Sequence, residues 1–475
     1  MKFRLYAALM TIVFAVGLRG VLVAQVNIPD TPQGKIVREY IDAFNSGDEE
    51  KIRQFFLDNV SGERLRDRPI DARVKGFKIF INDAKSLTLQ KLLNTSPVSM
   101  SVVAKDGSGQ MLTLTFDFDP TPERKFVGLR VEMGEQQPTS GPPMSRKEFL
   151  NSVKRYLIER VRDDKFSGVI FIARDTSVLL KKAYGDADKR FKIHNRTDTK
   201  FNLGSINKFF TRMAIGQLAE QGRLSFDKPI ITYLPDYPNR AVAEKVTIDQ
   251  LLSMKSGMGD FFGEKFENTS KDKIRTLKDY LQFFVNDTLL FEPGTQRRYS
   301  NAGFIVLGLV IEKLTGQDYY SYVRDHIFKP AGMNNTDWYA SNAATPNLAT
   351  GYTHSEGDEH VWISNIHALP GRGSSAGGGY TTLDDMHLFI RALLNGKLLS
   401  QKFSQWMVTN ELPQTDQPLP IKHGGMGIAG GTSGVNSAVE FDAETGNILI
   451  VLANYDPPAA EEVAMKISGW MKRIK

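Results

Sequence analysis

At 475 residues, 41% hydrophobic and 24% charged, the chain has the composition of folded globular protein and the length for two or three domains. Its formal charge of +6 comes from basic residues interleaved with acids, and no Lys/Arg run marks a nucleic-acid partner. The absence of cysteine excludes disulfides, thiolate metal sites, a cysteine nucleophile and a lipidated N-terminal cysteine.

The opening "MKFRLYAALMTIVFAVGLRGVLVAQ" predicts a signal peptide over 1–24: a basic start, an apolar run from Leu5 to Leu18, then small and apolar residues up to Ala24. That run makes a helix of about 21 Å, short of the roughly 30 Å hydrocarbon core, so the expectation is cleavage with no stable membrane span left. Arg19 interrupts the pattern, and an uncleaved anchor is the alternative. Loss of Lys2, Arg4 and Arg19 lowers the net charge from +6 to +3. The mature protein is expected to be exported, periplasmic or extracellular.

From residue 30 to 134 the pattern predicts a small α+β domain. Ile36, Val37, Tyr40, Ile41 and Phe44 recur at helical spacing up to Asn45–Gly47, and a second helix starts at Asp48. Strands then follow. "VSMSVVAKDGSGQMLTLTFDFD" alternates on both sides of an Asp-Gly-Ser-Gly turn, and "KFVGLRVEM" adds a further strand. The stretch "YIDAFNSGDEEKIRQFF" resembles the opening of SnoaL-like domains, which implies an α+β cone that holds a ligand or mediates contacts.

Residues 135–145, covering nearly all of "GEQQPTSGPPM" (134–144), read as a linker. The second unit, 146–475, opens with an amphipathic helix over 146–161 and the strands "SGVIFIARD" and "SVLLKKAYG". It closes with two strands in "SAVEFDAETGNILIVLANYD" and a helix over 459–474. Helix and strands at both ends, with mostly helices between, predict one sheet assembled from the two ends of the unit.

In "FNLGSINKFF", Ser205 precedes Lys208 by three residues, and Ile206, Phe209, Phe210, Met213, Ala214 and Leu218 continue at helical steps to Gly222. This spacing puts both side chains on one helical face. A serine hydroxyl becomes a useful nucleophile when a base takes its proton, and Lys208 serves if its pKa of about 10.4 falls by several units through burial or neighbouring positive charge. On pattern alone a plain helix cap fits as well. Ser-x-x-Lys recurs at Ser225–Lys228, which runs into Pro229, and at Ser270–Lys273, which is densely charged.

Downstream, "PGTQRRYSNAG" sets Tyr299 and Asn301 before another apolar helix, followed by "IFKPAGMNNTDW" and "AGGGYTTLDDMHLF". This ordered set resembles the serine hydrolases of the class C β-lactamase and penicillin-binding-protein fold, including family VIII esterases and D-aminopeptidases, over about 165–470. The resemblance implies an α+β, β-lactamase/transpeptidase-like fold: an antiparallel sheet flanked by helices, plus a helical subdomain. It also implies Ser205 as nucleophile, Lys208 and Tyr299 as the proton-handling pair, and Asn301 as a substrate or lysine contact. Relatives carry a His-x-Gly or Lys-Thr-Gly strand opposite the serine. Here that stretch is "GIAGGTSGVNS", with Ile428-Ala429-Gly430 in place of the triplet, so Gly430 and Gly431 offer backbone contacts without a cation. Met254 stands where the family commonly has histidine, a change expected to be structural.

Gly373-Ser374-Ser375-Ala376-Gly377 matches Gly-x-Ser-x-Gly but lacks the strand before and helix after that an α/β-hydrolase elbow requires, so it is expected to be a flexible loop near the site. None of the seven histidines forms a tight ligand pair, and no metal or other cofactor is expected; His423 is expected on a surface loop. The function implied is an exported hydrolase of a small ester, amide or peptide substrate acting through an acyl-Ser205. The alternative is a non-catalytic binding protein retaining the scaffold. No oligomeric state follows from the sequence.

Overall fold

The structure, a computed structural model, describes residues 26, 28–67, 70–96, 98–119, 121–133, 143–175, 177–355, 358–409 and 425–474. The signal segment 1–24, linker residues 135–142 and His423 lie outside the described residues. The chain divides into two compact units between residues 140 and 141.

The first unit places four helices before a sheet. Helix α1 (Pro32–Ser46) starts where the Thr31 hydroxyl accepts from Gly34 N and ends at Gly47, whose φ of 63° is left-handed. Asp48 caps α2 (Glu49–Asn59) by accepting from Glu50 N and Lys51 N. Helices α3 (Gly62–Asp67) and α4 (Ile70–Ala84) are additional to the two helices expected from sequence. Buried Val74 and Phe77 and the partly buried Phe80 and Ile81 give α4 its apolar face. Its intervening Lys and Arg residues hide that periodicity in the sequence. Strands β1 (Leu87–Ser96), β2 (Ser99–Asp106), β3 (Met111–Phe118) and β4 (Phe126–Met133) form an antiparallel sheet in that order. Aromatic side chains fill its interior: Tyr40 lies 4.7–5.9 Å, centroid to centroid, from Phe55, Phe77, Phe116 and Phe126.

The second unit opens with α5 (Arg146–Arg162), started by a reciprocal capping box between Ser145 and Glu148. Its sheet joins the two ends of the unit. Strands β5 (Gly168–Arg174), β6 (Ser177–Tyr184), β7 (Gly425–Thr432), β8 (Val435–Asp442) and β9 (Asn447–Ala453) run antiparallel in the order β7-β8-β9-β5-β6. Strands β5 and β9 are buried on both faces. Val169, Phe171, Ile448, Ile450 and Leu452 face the helical core, whereas Ile170, Ile172, Leu449 and Val451 face the core of α5 and the last helix. The strand period of two thus sorts one apolar run into two separate cores.

Two central helices support the chemistry. Helix α6 (Asn207–Glu220) is buried around most of its circumference, and α7 (Asn301–Thr315) buries eleven consecutive residues from Asn301 to Ile311. The Ser300 hydroxyl caps α7 by accepting from Gly303 N at 3.0 Å, and Gly316 ends it in the left-handed conformation. The closing helix α8 spans Ala459–Met471. Among the described residues, no helix is long and apolar enough to cross a membrane.

Candidate active site

Ser205 sits in a single 3-10 turn, Gly204–Ile206, that leads directly into α6. The turn begins at Gly204 with φ of +50°, and a Cβ there would lie 2.8 Å from Gly431 N. Conformation and space therefore both require glycine. Across the gap, a Cβ on Gly430 would fall 2.2 Å from Leu203 O and 2.7 Å from Ser205 N. Backbone packs directly on backbone, and Ser205 and Gly431 both line one cavity of about 370 Å³.

Around Ser205 the polar groups converge from three chain segments. Lys208 Nζ lies 3.1 Å from Ser205 Oγ and donates to Asn301 Oδ1 and to Ala376 O, each at 2.6 Å. Tyr299 Oη donates to Ser205 Oγ at 2.6 Å. Although Tyr299 is 50% exposed, its hydroxyl end is directed inward at the serine. Asp260 completes the set: Asn301 Nδ2 donates to its carboxylate at 2.8 Å. A carboxylate accepts only, so this bond fixes the Asn301 amide with its carbonyl toward Lys208.

Burial decides the charge on these groups. Lys208 is 7% exposed, and desolvation pulls its pKa down to about 7, with the Asp260 charge opposing the shift. The neighbouring positive charge considered from sequence is not needed; burial is sufficient. Burial pushes the Tyr299 phenol up, against the Ser205 hydrogen bond and with Asp260 adding to the rise. Near neutral pH the lysine thus exchanges between its two protonation states while the phenol keeps its proton. In the neutral amine two N–H bonds continue to serve Asn301 and Ala376, which leaves the lone pair for the Ser205 proton.

The competing motifs do not share this setting. Ser225 and Ser270 are exposed and pair with Asp227 and Asp272, respectively. Ser375 is fully buried and donates to Phe304 O at 2.8 Å. The surrounding loop is a packed wall, contrary to the flexible loop expected. Tyr320 Oη holds Gly373 O, Trp338 Nε1 holds Ser374 O and Thr211 Oγ1 holds Ser375 O, at 2.7–2.9 Å. Its purpose in the site is the Ala376 carbonyl, which sequence reasoning missed because a backbone acceptor leaves no side-chain signal. Asp260 was missed as well, since a single carboxylate in "GMGDFF" has no distinguishing spacing.

Strand β7 carries no charged side chain. Ala429, Gly430, Gly431 and Thr432 border the 370 Å³ cavity, while Ile428 packs against the helical core and borders a second cavity beneath Lys208. Met254 is buried, has φ of 61°, and accepts from Arg298 N at 2.8 Å through its carbonyl. Among the described residues, no group of three or more His, Asp or Glu side chains is arranged to hold a metal.

A five-stranded antiparallel sheet flanked by helices, with a serine, a lysine and a tyrosine meeting at its edge strand, defines a β-lactamase/transpeptidase-like serine hydrolase fold. Comparison with known proteins gives the family. The Beta-lactamase family profile matches residues 153–468, and the chain belongs to that family of serine hydrolases. It is 34% identical over 246 residues to the putative penicillin-binding protein PbpX of Bacillus subtilis, covering 51% of this chain and 59% of that protein. The chain thus spans less than two thirds of that relative. A penicillin binding protein from Bacillus halodurans superposes with a TM-score of 0.58 at 30% identity, covering 66% of this chain and 99% of that one. A D-amino acid amidase from Ochrobactrum anthropi SV3, at 24% identity and TM-score 0.56 over 68% of this chain and 97% of its own, shares the fold.

Proposed function

We propose that the protein hydrolyses a small ester or amide through an acyl-enzyme on Ser205. The observation that carries this reading is the convergence of Ser205, Lys208, Tyr299 and Asn301, with a lysine whose pKa lies near 7. In the proposed cycle neutral Lys208 takes the Ser205 proton as Oγ attacks the carbonyl carbon. The amide groups of Ser205 and Gly431 receive the developing oxyanion, and Tyr299 relays a proton to the leaving group. Water then releases the acyl group by the reverse proton path. Ester or amide hydrolysis is favoured over penicillin turnover, because β7 offers no cation for a substrate carboxylate.

Two further readings go with it. The sequence of residues 1–24 supports export to the periplasm or the extracellular space. The helices and four-stranded antiparallel sheet before residue 134 support a SnoaL-like cone, and its ring-filled interior favours a role in contacts over ligand storage. The experiment for the main reading is fluorophosphonate labelling followed by peptide mapping. The adduct is expected on Ser205; an adduct on another serine overturns the assignment.

Asp260 acts in this scheme as a positioning residue. Asp260→Asn keeps an acceptor for Asn301 but removes the negative charge that raises the Lys208 pKa, so the rising limb of the kcat/KM profile should move to lower pH. Asp260→Ala also frees the Asn301 amide, and kcat should drop about tenfold, the loss expected for a charged hydrogen bond. An unshifted limb in Asp260→Asn would show that Asp260 does not act through Lys208.

A further inference from the structure

The cavity beside Ser205 contains a feature that acyl transfer does not use. Its lining includes Glu461, from the first turn of α8, and the apolar side chains of Phe261, Phe262, Leu369 and Pro370. Glu461 is held in place by Asn436, which is completely buried. Asn436 Nδ2 donates to Glu461 Oε2 at 3.0 Å and lies 3.4 Å from Gly430 O, while Asn436 Oδ1 accepts from Ala460 N at 2.6 Å and from Glu461 N at 3.2 Å. One side chain therefore ties the carboxylate, the start of α8 and the edge strand facing Ser205 into a single unit.

This carboxylate is not neutralised by the protein. Among the described residues, no Lys, Arg or His forms an ion pair with Glu461, whereas its neighbour Glu462 is engaged by Arg160. Burial raises its pKa, with the Glu462 charge adding to the rise and only the Asn436 bond opposing it. A partly buried charge with one neutral donor is under-compensated, and a ligand that supplies N–H donors or a positive charge gains what the protein withholds. The edge strand points the same way, since Ala429, Gly430, Gly431 and Thr432 bring no cationic side chain to the cavity for a substrate carboxylate.

We propose that Glu461 is a specificity-determining residue, selecting acyl donors that carry an ammonium group next to an apolar substituent and disfavouring donors that carry a carboxylate. The apolar substituent lies against Phe261, Phe262 and Leu369, and the ammonium faces Glu461. As a statement about substrate the inference rests on the acyl-transfer reading, but its binding test needs no turnover.

The test is calorimetric titration of the full-length protein with phenethylamine, with its neutral counterpart phenethyl alcohol, and with 3-phenylpropionate. The amine is expected to bind at least about tenfold more tightly than the alcohol, the range of a charged hydrogen bond, and the carboxylate more weakly than both. Glu461→Gln retains an acceptor for Asn436, and its circular dichroism and Tm report whether the fold is kept; the amine preference should disappear. Should Gln perturb the fold, Glu461→Asp supplies the second variant, with a shorter reach and a reduced preference. Equal binding of amine and alcohol, no binding of the amine, or a preference that survives Glu461→Gln in a folded protein overturns the proposal. Amine preference without any ester or amide turnover would instead remove the hydrolase reading and leave the binding site standing.

Discussion

Ser205→Ala should reduce ester turnover by about 10,000-fold or more and abolish fluorophosphonate labelling, while leaving the fold intact. The size follows from the chemistry: without Oγ there is no acyl intermediate, so what is left is whatever the cavity does for direct attack by water. The fold is expected to survive because, among the described residues, the hydroxyl bonds to the side chains of Lys208 and Tyr299 alone, and each of these partners borders a cavity. A p-nitrophenyl ester assay alongside gel-based labelling measures the effect. Labelling that persists unchanged in Ser205→Ala would refute the nucleophile, and a wild-type protein that neither labels nor turns over esters would favour the non-catalytic binding alternative.

Where helices and strands carry a clear apolar period, the sequence was sufficient. The spacing from Phe209 to Leu218 lies in the buried α6, and the continuous apolar run "SGVIFIARD" is β5, buried on both faces. The sheet assembled from the two ends of the unit, expected from the helix and strands at each end, is realised where β5 pairs with β9. Helices α3 and α4 were missed because charge interrupts their apolar positions, and tertiary packing overrides that weak local signal.

For the site, legibility depended on whether a function needs a side chain in a motif. Ser205, Lys208, Tyr299 and Asn301 belong to an ordered set of motifs, and the structure brings all four within hydrogen-bond reach of a neighbour in the group. Asp260 orients Asn301 from a loop without periodicity, Ala376 contributes only its carbonyl, and Glu461 reads in the sequence as an ordinary acid in a helical first turn. Such residues acquire meaning from what the fold sets opposite them. The glycine-rich stretch 373–379 shows the converse: composition suggested mobility, but close packing leaves no room for a side chain at Gly373 or Gly379. A Cβ on Gly373 would meet Gly378 at 2.5 Å, and one on Gly379 would meet Asn207 Oδ1 at 2.6 Å.

Lys208→Ala should lower kcat/KM by about 100- to 10,000-fold, the range of a positioned general base, and Lys208→Arg should fail to restore it because a guanidinium does not deprotonate. In the wild type kcat/KM should rise with pH through about 7, the pKa to which burial lowers the Lys208 amine. Stability carries the same signature with a definite sign. The unfolded chain holds the lysine proton up to about pH 10.4, whereas the folded protein releases it near 7. Between those values the unfolded state binds more protons, so stability increases with pH, by up to about 1.4 kcal/mol per unit and about 4 kcal/mol over three units. Below the lower value both states are protonated and the dependence disappears. Urea unfolding of the wild type and of Lys208→Met from pH 6 to 9.5 isolates the effect, since Met cannot titrate. The wild type should gain on the variant steadily above about pH 7; parallel curves would mean that the amine is charged in the fold, and that it enters catalysis as an acid or an anchor and not as the base.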